Sequence, residues 1–398
     1  MKQIESGGDG EEEYDEMKWP NSVICTSFGD IVVCDTLNHR ILVFTRNLLY
    51  KYSIGSKGNF HGQFDEPVDV AIGVTNNLLI ADKNNNRIEV YEEHLVFHRS
   101  KTKINAFIRT QTTVETNPDG TKSAIVTNSS RSNSLQFKYK DSIRLDDQPV
   151  KICISSVTAI FLVTTRNGSI FIFNASYRNL CSYKLTEHVD LFDMRNFCIH
   201  KNGNELIMLK NVEDTPKLMY YQFQDNLMSK LRNVGMNKSE EIANLNKINL
   251  VKSVDIQRFY YSGICMERGL HMKQTPDNNH IVIYDSKNLC VLIYDLEGIF
   301  MKVLFHSYDC LEQLLAMTFS PEGHFITCEY EIRNSIIKSP SRLGTTRSLS
   351  SAFVRRYIFK IKIYRYLDCD CHRNKPSITK KRLSQTAHTR RVLTKVVF

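Results

Sequence analysis

The chain has 398 residues, 42% of them hydrophobic and 10% aromatic, which is enough apolar material for one large core or two ordinary ones. No run of eighteen apolar residues occurs, which argues against a transmembrane helix, and the acidic N-terminal segment lacks the basic flank and apolar run of a secretory signal, so the expected compartment is cytoplasmic. The net charge of +9 is unevenly spread: residues 1–18 carry seven acids and two bases, residues 333–398 carry seventeen bases and two acids, and the body between them is nearly neutral.

After the acidic segment 1–18, read as disordered, the chain repeats itself. Ile31-Val32-Val33-Cys34-Asp35-Thr36-Leu37-Asn38-His39-Arg40-Ile41-Leu42-Val43-Phe44 returns as Leu78-Leu79-Ile80-Ala81-Asp82-Lys83-Asn84-Asn85-Asn86-Arg87-Ile88-Glu89-Val90-Tyr91. Pro20 and Pro67, Asp35 and Asp82, and Arg40 and Arg87 share one offset of 47 residues. A fixed period of this length marks repeated supersecondary units, and apolar runs of four or five residues within each unit mark strands.

Further along the pattern thins but stays in register. Pro149, Thr164 and Phe173 lie 129 residues after Pro20, Asp35 and Phe44, which makes Thr164 the third marker. A fourth, weakest copy runs through Leu206-Ile207-Met208-Leu209-Lys210, a fifth ends at Asp285, and a sixth at Glu329. Six units of short antiparallel strands close most economically into a ring, because a ring hides the edges that a stack exposes. The predicted fold is therefore an all-β, six-bladed β-propeller over residues 19–366, with an open solenoid or two sandwiches as rivals. Long intervals between markers place insertions at about 96–132 and 225–250. The first is read as a solvated hairpin about Asn117-Pro118-Asp119-Gly120, and the second as the place of a short helix.

A third insertion, 339–356, is rich in Ser, Thr and Arg and is read as mobile. In it Arg347 stands three residues before Ser350, a candidate phosphorylation site. Tyr357 to Tyr366 alternates apolar and basic residues and is read as the half-buried outer strand of the sixth blade. The remainder, 367–398, is a basic tail with Val392 to Phe398 as a candidate edge strand; its Lys380-Lys381-Arg382 and Arg390-Arg391 runs suit a solvated tail or, alternatively, a nuclear signal.

Pro67, Ala71, Leu78 to Asp82 and Asn86-Arg87-Ile88-Glu89-Val90-Tyr91, preceded by Ile54-Gly55-Ser56-Lys57-Gly58 and Gly62-Gln63-Phe64-Asp65-Glu66-Pro67, resemble the NHL repeat. That pattern runs from G-x-x-G-x-x-x-G-x-F-x-x-P into V-A-D-x-x-N-x-R-I-x-V-F, and Asp35 to Arg40 fits it as Asp82 to Arg87 does. The resemblance covers roughly residues 19–92 and fades from 149 to 338, where repeats three to six lack the Asp and Arg pair. It implies a recognition surface: tripartite-motif and malin-like proteins carry such a propeller behind a RING finger and present substrates for ubiquitin transfer, and several bind RNA on the electropositive face. No Cys and His series at zinc spacing precedes residue 19, so the chain is expected to lack a ligase catalyst of its own and to depend on a partner or an upstream region.

Candidate chemistry follows from particular residues. Asp35, Arg40, Asp82 and Arg87 are expected to be architectural, each Asp accepting backbone N–H bonds across its turn and each Arg reaching back to it. His39, Arg40, Asn86 and Arg87 are candidate rim contacts. Arg355, Arg356, Tyr357, Lys360, Lys362, Tyr364 and Arg365 interleave cations with aromatics, as binding to RNA or to an acidic partner requires, or else blunt an exposed sheet edge. Cys369-Asp370-Cys371-His372 is a tight group of soft ligands, but the next His is His388, so no metal is expected. Eleven cysteines scattered singly suit reduced thiols better than a disulfide framework. Propeller lactonases and a peptide-amidating lyase make an enzyme the minor alternative, weakened because the twelve His do not recur at one repeat position. No catalytic residue and no cofactor are assigned. The leading reading is a non-enzymatic propeller that binds a protein within ubiquitin-dependent degradation, the alternative is an RNA-binding propeller, and neither membrane insertion nor DNA binding is indicated.

Overall fold

A computed structural model of the chain describes residues 16–97, 112–116, 122–126, 133–155, 159–185, 193–200, 203, 205–212, 215–223, 248–256, 271–275, 278–286, 288–305, 313–340, 349–364 and 392–396. The strands fall into six four-stranded antiparallel sheets. Blade one is β1 (Pro20–Cys25), β2 (Ile31–Asp35), β3 (Arg40–Phe44) and β4 (Tyr50–Ile54), in that order. Blade two runs β5 (Pro67–Ile72), β6 (Leu78–Asp82), β7 (Arg87–Phe97) and then β10 (Asn133–Arg144); β8 (Thr112–Thr116) and β9 (Lys122–Val126), inside the insertion, pair as a separate hairpin. Blade three is β11 (Pro149–Ser155), β12 (Ile160–Thr165), β13 (Ser169–Asn174) and β14 (Asn179–Lys184), and blade four is β15 (Phe197–Ile199), β16 (Glu205–Val212), β17 (Thr215–Phe223) and β18 (Ile248–Asp255). Blade five is β19 (His271–Gln274), β20 (His280–Asp285), β21 (Cys290–Asp295) and β22 (Phe300–Phe305), and blade six is β23 (Gln313–Phe319), β24 (Phe325–Pro340), β25 (Leu349–Tyr364) and β26 (Val392–Val396).

The second strand of a blade is covered on both faces, so it reads as an uninterrupted apolar run rather than an alternation. Ile31–Asp35 and Leu78–Asp82 are buried at every position, whereas β18, on an outer edge, is largely exposed. Six hydrophobic clusters lie one between each pair of neighbouring blades. Val32 and Ile41 of blade one meet Val70 and Ile80 of blade two, Ile88 of blade two meets Val163 of blade three, and Leu162 of blade three meets Met208 of blade four. Ile207 then meets Ile283, and Val291 meets Phe325. The sixth cluster joins Val33 and Leu42 of blade one to Ile326, Cys328 and Ile361 of blade six, and β1 lies beside β23, so the ring closes. Each fully buried aliphatic or aromatic side chain contributes roughly 1.5–3 kcal/mol to this packing.

Several expectations need correction. Thr164 is one residue away from the third marker: Pro149 stands opposite Thr165, as Pro20 stands opposite Asp35, so Thr165 holds the equivalent place. The segment 339–356 is not a loop throughout, because β24 and β25 run on as a long hairpin in which Ser339 pairs with Ser350 and Pro340 with Leu349. Ser350 therefore sits in a paired strand. β25 is the third strand of blade six, not the outer one; that place belongs to β26, the candidate edge strand at the end of the basic segment. The second insertion ends at Ile248, where β18 begins, and the rest of it, where the short helix was expected, lies outside the described residues, as does the Cys369 to His372 group. Seven cysteines among the described residues are free thiols.

Candidate recognition rim and central channel

Asp35 and Asp82 end the second strands of blades one and two, and each is followed by a single 3₁₀ turn, Thr36–Asn38 or Lys83–Asn85, closed by a residue in the left-handed region, His39 (φ 54) or Asn86 (φ 51). The two turns bind alike. Asp35 accepts from Lys18 N at 2.7 Å, Asn38 Nδ2 at 2.9 Å and Arg40 Nε at 2.8 Å, and Asp82 accepts from Asp65 N at 2.7 Å, Asn85 Nδ2 at 2.8 Å and Arg87 Nε at 2.8 Å. The arginine reaches back as the sequence suggests, but the backbone donor comes from the segment entering the blade, not from the turn. Each Asp thus fastens a blade to the connection before it. Burial pushes both carboxyls above their ordinary range, against the amide and guanidinium bonds that favour the charged form.

Arg87 does more than bind Asp82. Its guanidinium also lies 3.1 Å from Glu89, and it donates to the carbonyls of Asn59 (2.9 Å), Phe60 (2.9 Å) and Gln63 (2.6 Å). Those carbonyls belong to the connection 55–66 between blades one and two, which is fixed further by Phe64 N donating to Ser56 O and by Asn85 donating to Gly58 O. Gly55 has φ +90, and a Cβ there would stand 2.3 Å from the Phe64 ring, so the fully buried Phe64 requires a glycine at this point. At the tip Phe60 is 75% exposed. Leu37, 48% exposed, rides on the first turn, which His39 ties to the same connection by accepting from Glu66 N at 3.0 Å. The same Nδ1 lies 3.3 Å from Asp65 Oδ1.

The candidate rim residues therefore divide. Arg87 is buried, Arg40 is bound to Asp35, and the Asn86 side-chain oxygen is buried without a hydrogen-bond partner among the described residues. The bonding amides are Asn38 and Asn85, in the turn N-x-R. That spacing, repeated in both turns, was the available signal for them. Phe60 was missed because the repeat pattern leaves its position free.

The basic strand behaves differently from expectation. Lys360 and Lys362 are buried: Lys362 Nζ lies 2.8 Å from Glu329 Oε2, and Lys360 Nζ lies 2.7 Å from Glu331 Oε2. Tyr364, also buried, donates to Glu329 Oε1 at 2.9 Å, and Thr327 donates to the same oxygen at 2.6 Å. Alternation along β25 turns these cations into a blade, where carboxylates of β24 meet them, so they form no exposed phosphate-binding stripe. Tyr357 remains exposed on the surface against Trp19. The side chains of Arg355 and Arg356, and Arg365 altogether, lie outside the described residues. Glu329 holds in blade six the register of Asp35, opposite Lys360 as Asp35 is opposite Arg40. In blade five Asp285 keeps its Asn288 partner at 2.7 Å, while Cys290 occupies the arginine's place.

The inner strands of all six blades line a central channel with a cavity of about 250 Å³. Its charged lining residues, Lys151 and Lys273, were not singled out from the sequence. They recur at no fixed offset, and only closure of the ring brings them together.

Residues 64–91 match the NHL repeat family. No curated protein matches the chain. Among solved structures it is similar to a streptogramin B lyase, with 11% identity, TM-score 0.41, and coverage of 77% of this chain and 74% of that one. It is also similar to virginiamycin B lyase from Staphylococcus aureus, with 9% identity, TM-score 0.40, and coverage of 77% and 76%.

Proposed function

We propose that this propeller, with its NHL repeat at residues 64–91, is a non-enzymatic recognition module that docks a protein client on the rim formed by 36–38 and 55–66. We further propose that it acts in the cytoplasm as the substrate-recognition part of a RING-ligase system. The carrying observation is Phe60: its ring is 75% exposed, while the backbone beneath it is held by Arg87 through three carbonyls. Ordering a loop on binding costs free energy, and a loop already ordered avoids that cost, so a rigid exposed aromatic has the character of an interface anchor. The resemblance to tripartite-motif propellers supplies the pathway to test.

The test is crosslinking and capture of the full chain from cells, with proteins and RNA read from one sample, for the native chain and Phe60→Ala. The expected result is a set of proteins, including a RING ligase or ubiquitinated clients, that Phe60→Ala loses while its thermal transition stays in place, since an exposed truncation changes stability within about 0.5 kcal/mol. Clients without ligase or ubiquitin would remove the pathway and keep the recognition reading. Enriched RNA without protein clients, or clients indifferent to Phe60, would overturn both.

A further inference from the structure

Blade six outgrows its own sheet. β23 pairs with β24 only from Phe325 to Tyr330, and β26 pairs with β25 only from Lys360 to Tyr364, yet the ladder between β24 and β25 runs on from Glu331 and Ile358 to Pro340 and Leu349. Over that length the hairpin has no third strand among the described residues. A two-stranded ribbon alone is marginally stable in water, so it gains stability from whatever covers a face. Ile332 and Tyr357, directly opposite each other where the ribbon leaves the blade, are 46% and 38% exposed. Theirs is the face on which Trp19 rests, with its ring 5.5 Å from Tyr357 and 5.8 Å from Tyr330. Every second residue of a strand shares a face, so Asn334 opposite Arg355, then Ile336 opposite Phe353, take the next positions on it.

The extension is basic. It holds Arg333, Lys338, Arg355 and Arg356 against one acid, Glu331, which is already bound to Lys360 at 2.7 Å. Arg333 stands directly opposite Arg356, with Arg355 on the next rung, and like charges so placed destabilise a ladder, a cost that an anion nearby offsets. Residues 1–15 have the opposite character, with six acids, Glu5, Asp9, Glu11, Glu12, Glu13 and Asp15, against Lys2 alone. The chain after them is fixed at the hairpin's foot: Glu16 O accepts from Asn38 Nδ2 at 2.8 Å, Lys18 N donates to Asp35 at 2.7 Å, and Met17 is buried in the cluster that joins blades one and six. Fifteen extended residues span up to ~50 Å, and the ribbon from Ile332 to Pro340 is about 27 Å long. A segment tethered so closely acts at an effective concentration on the order of millimolar, which a free acidic partner has to match.

We infer that the extension of β24 and β25 is a docking surface for the chain's own acidic segment, residues 1–15, laid along it from Trp19 outward. The surface is separate from the rim and stands whether or not a protein client docks there. Docked, the segment covers the face of Ile332 and Tyr357 and brings carboxylates to the arginine positions, where charge-assisted bonds to guanidinium are the strong ones. Other anions then meet this face only when the segment is displaced.

The experiment is hydrogen exchange read by mass spectrometry on the full chain, native and with Glu11→Lys, Glu12→Lys and Glu13→Lys together. The expected result is severalfold faster exchange in 331–340 and 349–358 of the variant, with the inner strands of all six blades unchanged, and slow exchange restored when Arg333→Glu, Arg355→Glu and Arg356→Glu are added. Exchange indifferent to the reversal, or not restored by the swap, would overturn the inference. So would protection that grows with protein concentration, which assigns the face to a second copy, or that is lost on nuclease treatment, which assigns it to RNA. Should the swapped chain fail to fold, the native chain at ~1 M salt decides, where the Debye length is about 3 Å: its hairpin is expected to exchange as fast as that of the reversed variant, and indifference to salt refutes the docking.

Discussion

Arg87 binds two buried carboxylates and three carbonyl oxygens at once, so its removal takes a cationic partner from all of them together. Arg87→Ala is expected to cost about 3–5 kcal/mol in a urea titration, the range for one half of a buried ion pair. Arg87→Lys recovers only part, because an ammonium cannot fork between Asp82 and the connection 55–66. Lys362 stands in a similar relation to Glu329. Lys362→Met alone is expected to destabilise by a comparable ~3–5 kcal/mol, and adding Glu329→Gln to return much of it; a double-mutant cycle with no coupling would contradict this. Raising the salt concentration should leave both effects in place, since buried pairs are weakly screened.

At the scale of elements, the first two blades were legible because their turns need particular residues. The D-x-x-N-x-R spacing sets acid, amide and guanidinium in one turn, and Gly55 is fixed by the Phe64 ring. The later blades keep the register with other residues, Asp285 opposite Cys290 and Glu329 opposite Lys360, while the ion pair of Glu329 is made with Lys362, two residues further along the strand. The long hairpin of β24 and β25 was hidden by Ser, Thr and Arg composition, whereas β26 was legible as the candidate edge strand at Val392 to Phe398 but not the blade it joins, since strand pairing depends on a partner that no local pattern displays. The segment before β1 was passed over for its acidity. Yet Met17 is fully buried in the cluster that joins blades one and six, and Trp19 lies 5.5 Å from Tyr357 and 5.8 Å from Tyr330 and Phe359. Met17→Ala is expected to cost about 2–5 kcal/mol, and amide exchange should quicken first in β1 and β23, the strands on either side of the closure. Uniform quickening over all six blades would argue against a local seam.

The whole molecule buries many thiols and phenols, and this fixes its response to alkali. Burial raises Cys34, Cys198 and Cys328 above the ordinary 9.0 and Tyr91, Tyr284 and Tyr294 above the ordinary 10.0. The unfolded chain releases these protons at the ordinary values while the folded chain retains them, so stability falls as pH rises past about 9. Lys273 runs the other way. Its folded value of about 8 lies below the ordinary 10.5, so between the two the unfolded chain holds the extra proton and stability gains with pH. Urea midpoints at pH 8 and pH 10 should therefore fall less for the native chain than for Lys273→Met, and Lys273→Met should be the more stable of the two at pH 8. An equal fall in both would show that the amine is not buried in its charged form.

Blade six takes all four of its strands from 313–396 and none from the start of the chain, and its union with blade one rests on side chains such as Cys328, Ile361, Val33 and Leu42. Among the described residues no backbone ladder crosses that union. Every blade is accordingly a contiguous stretch of sequence, and the ring has no covalent or hydrogen-bonded preference for where the polypeptide starts. Circularly permuted chains, opened between blades four and five and joined across the present ends, retain every sheet intact, so the order of synthesis of the blades is free to vary while the assembled ring stays the same.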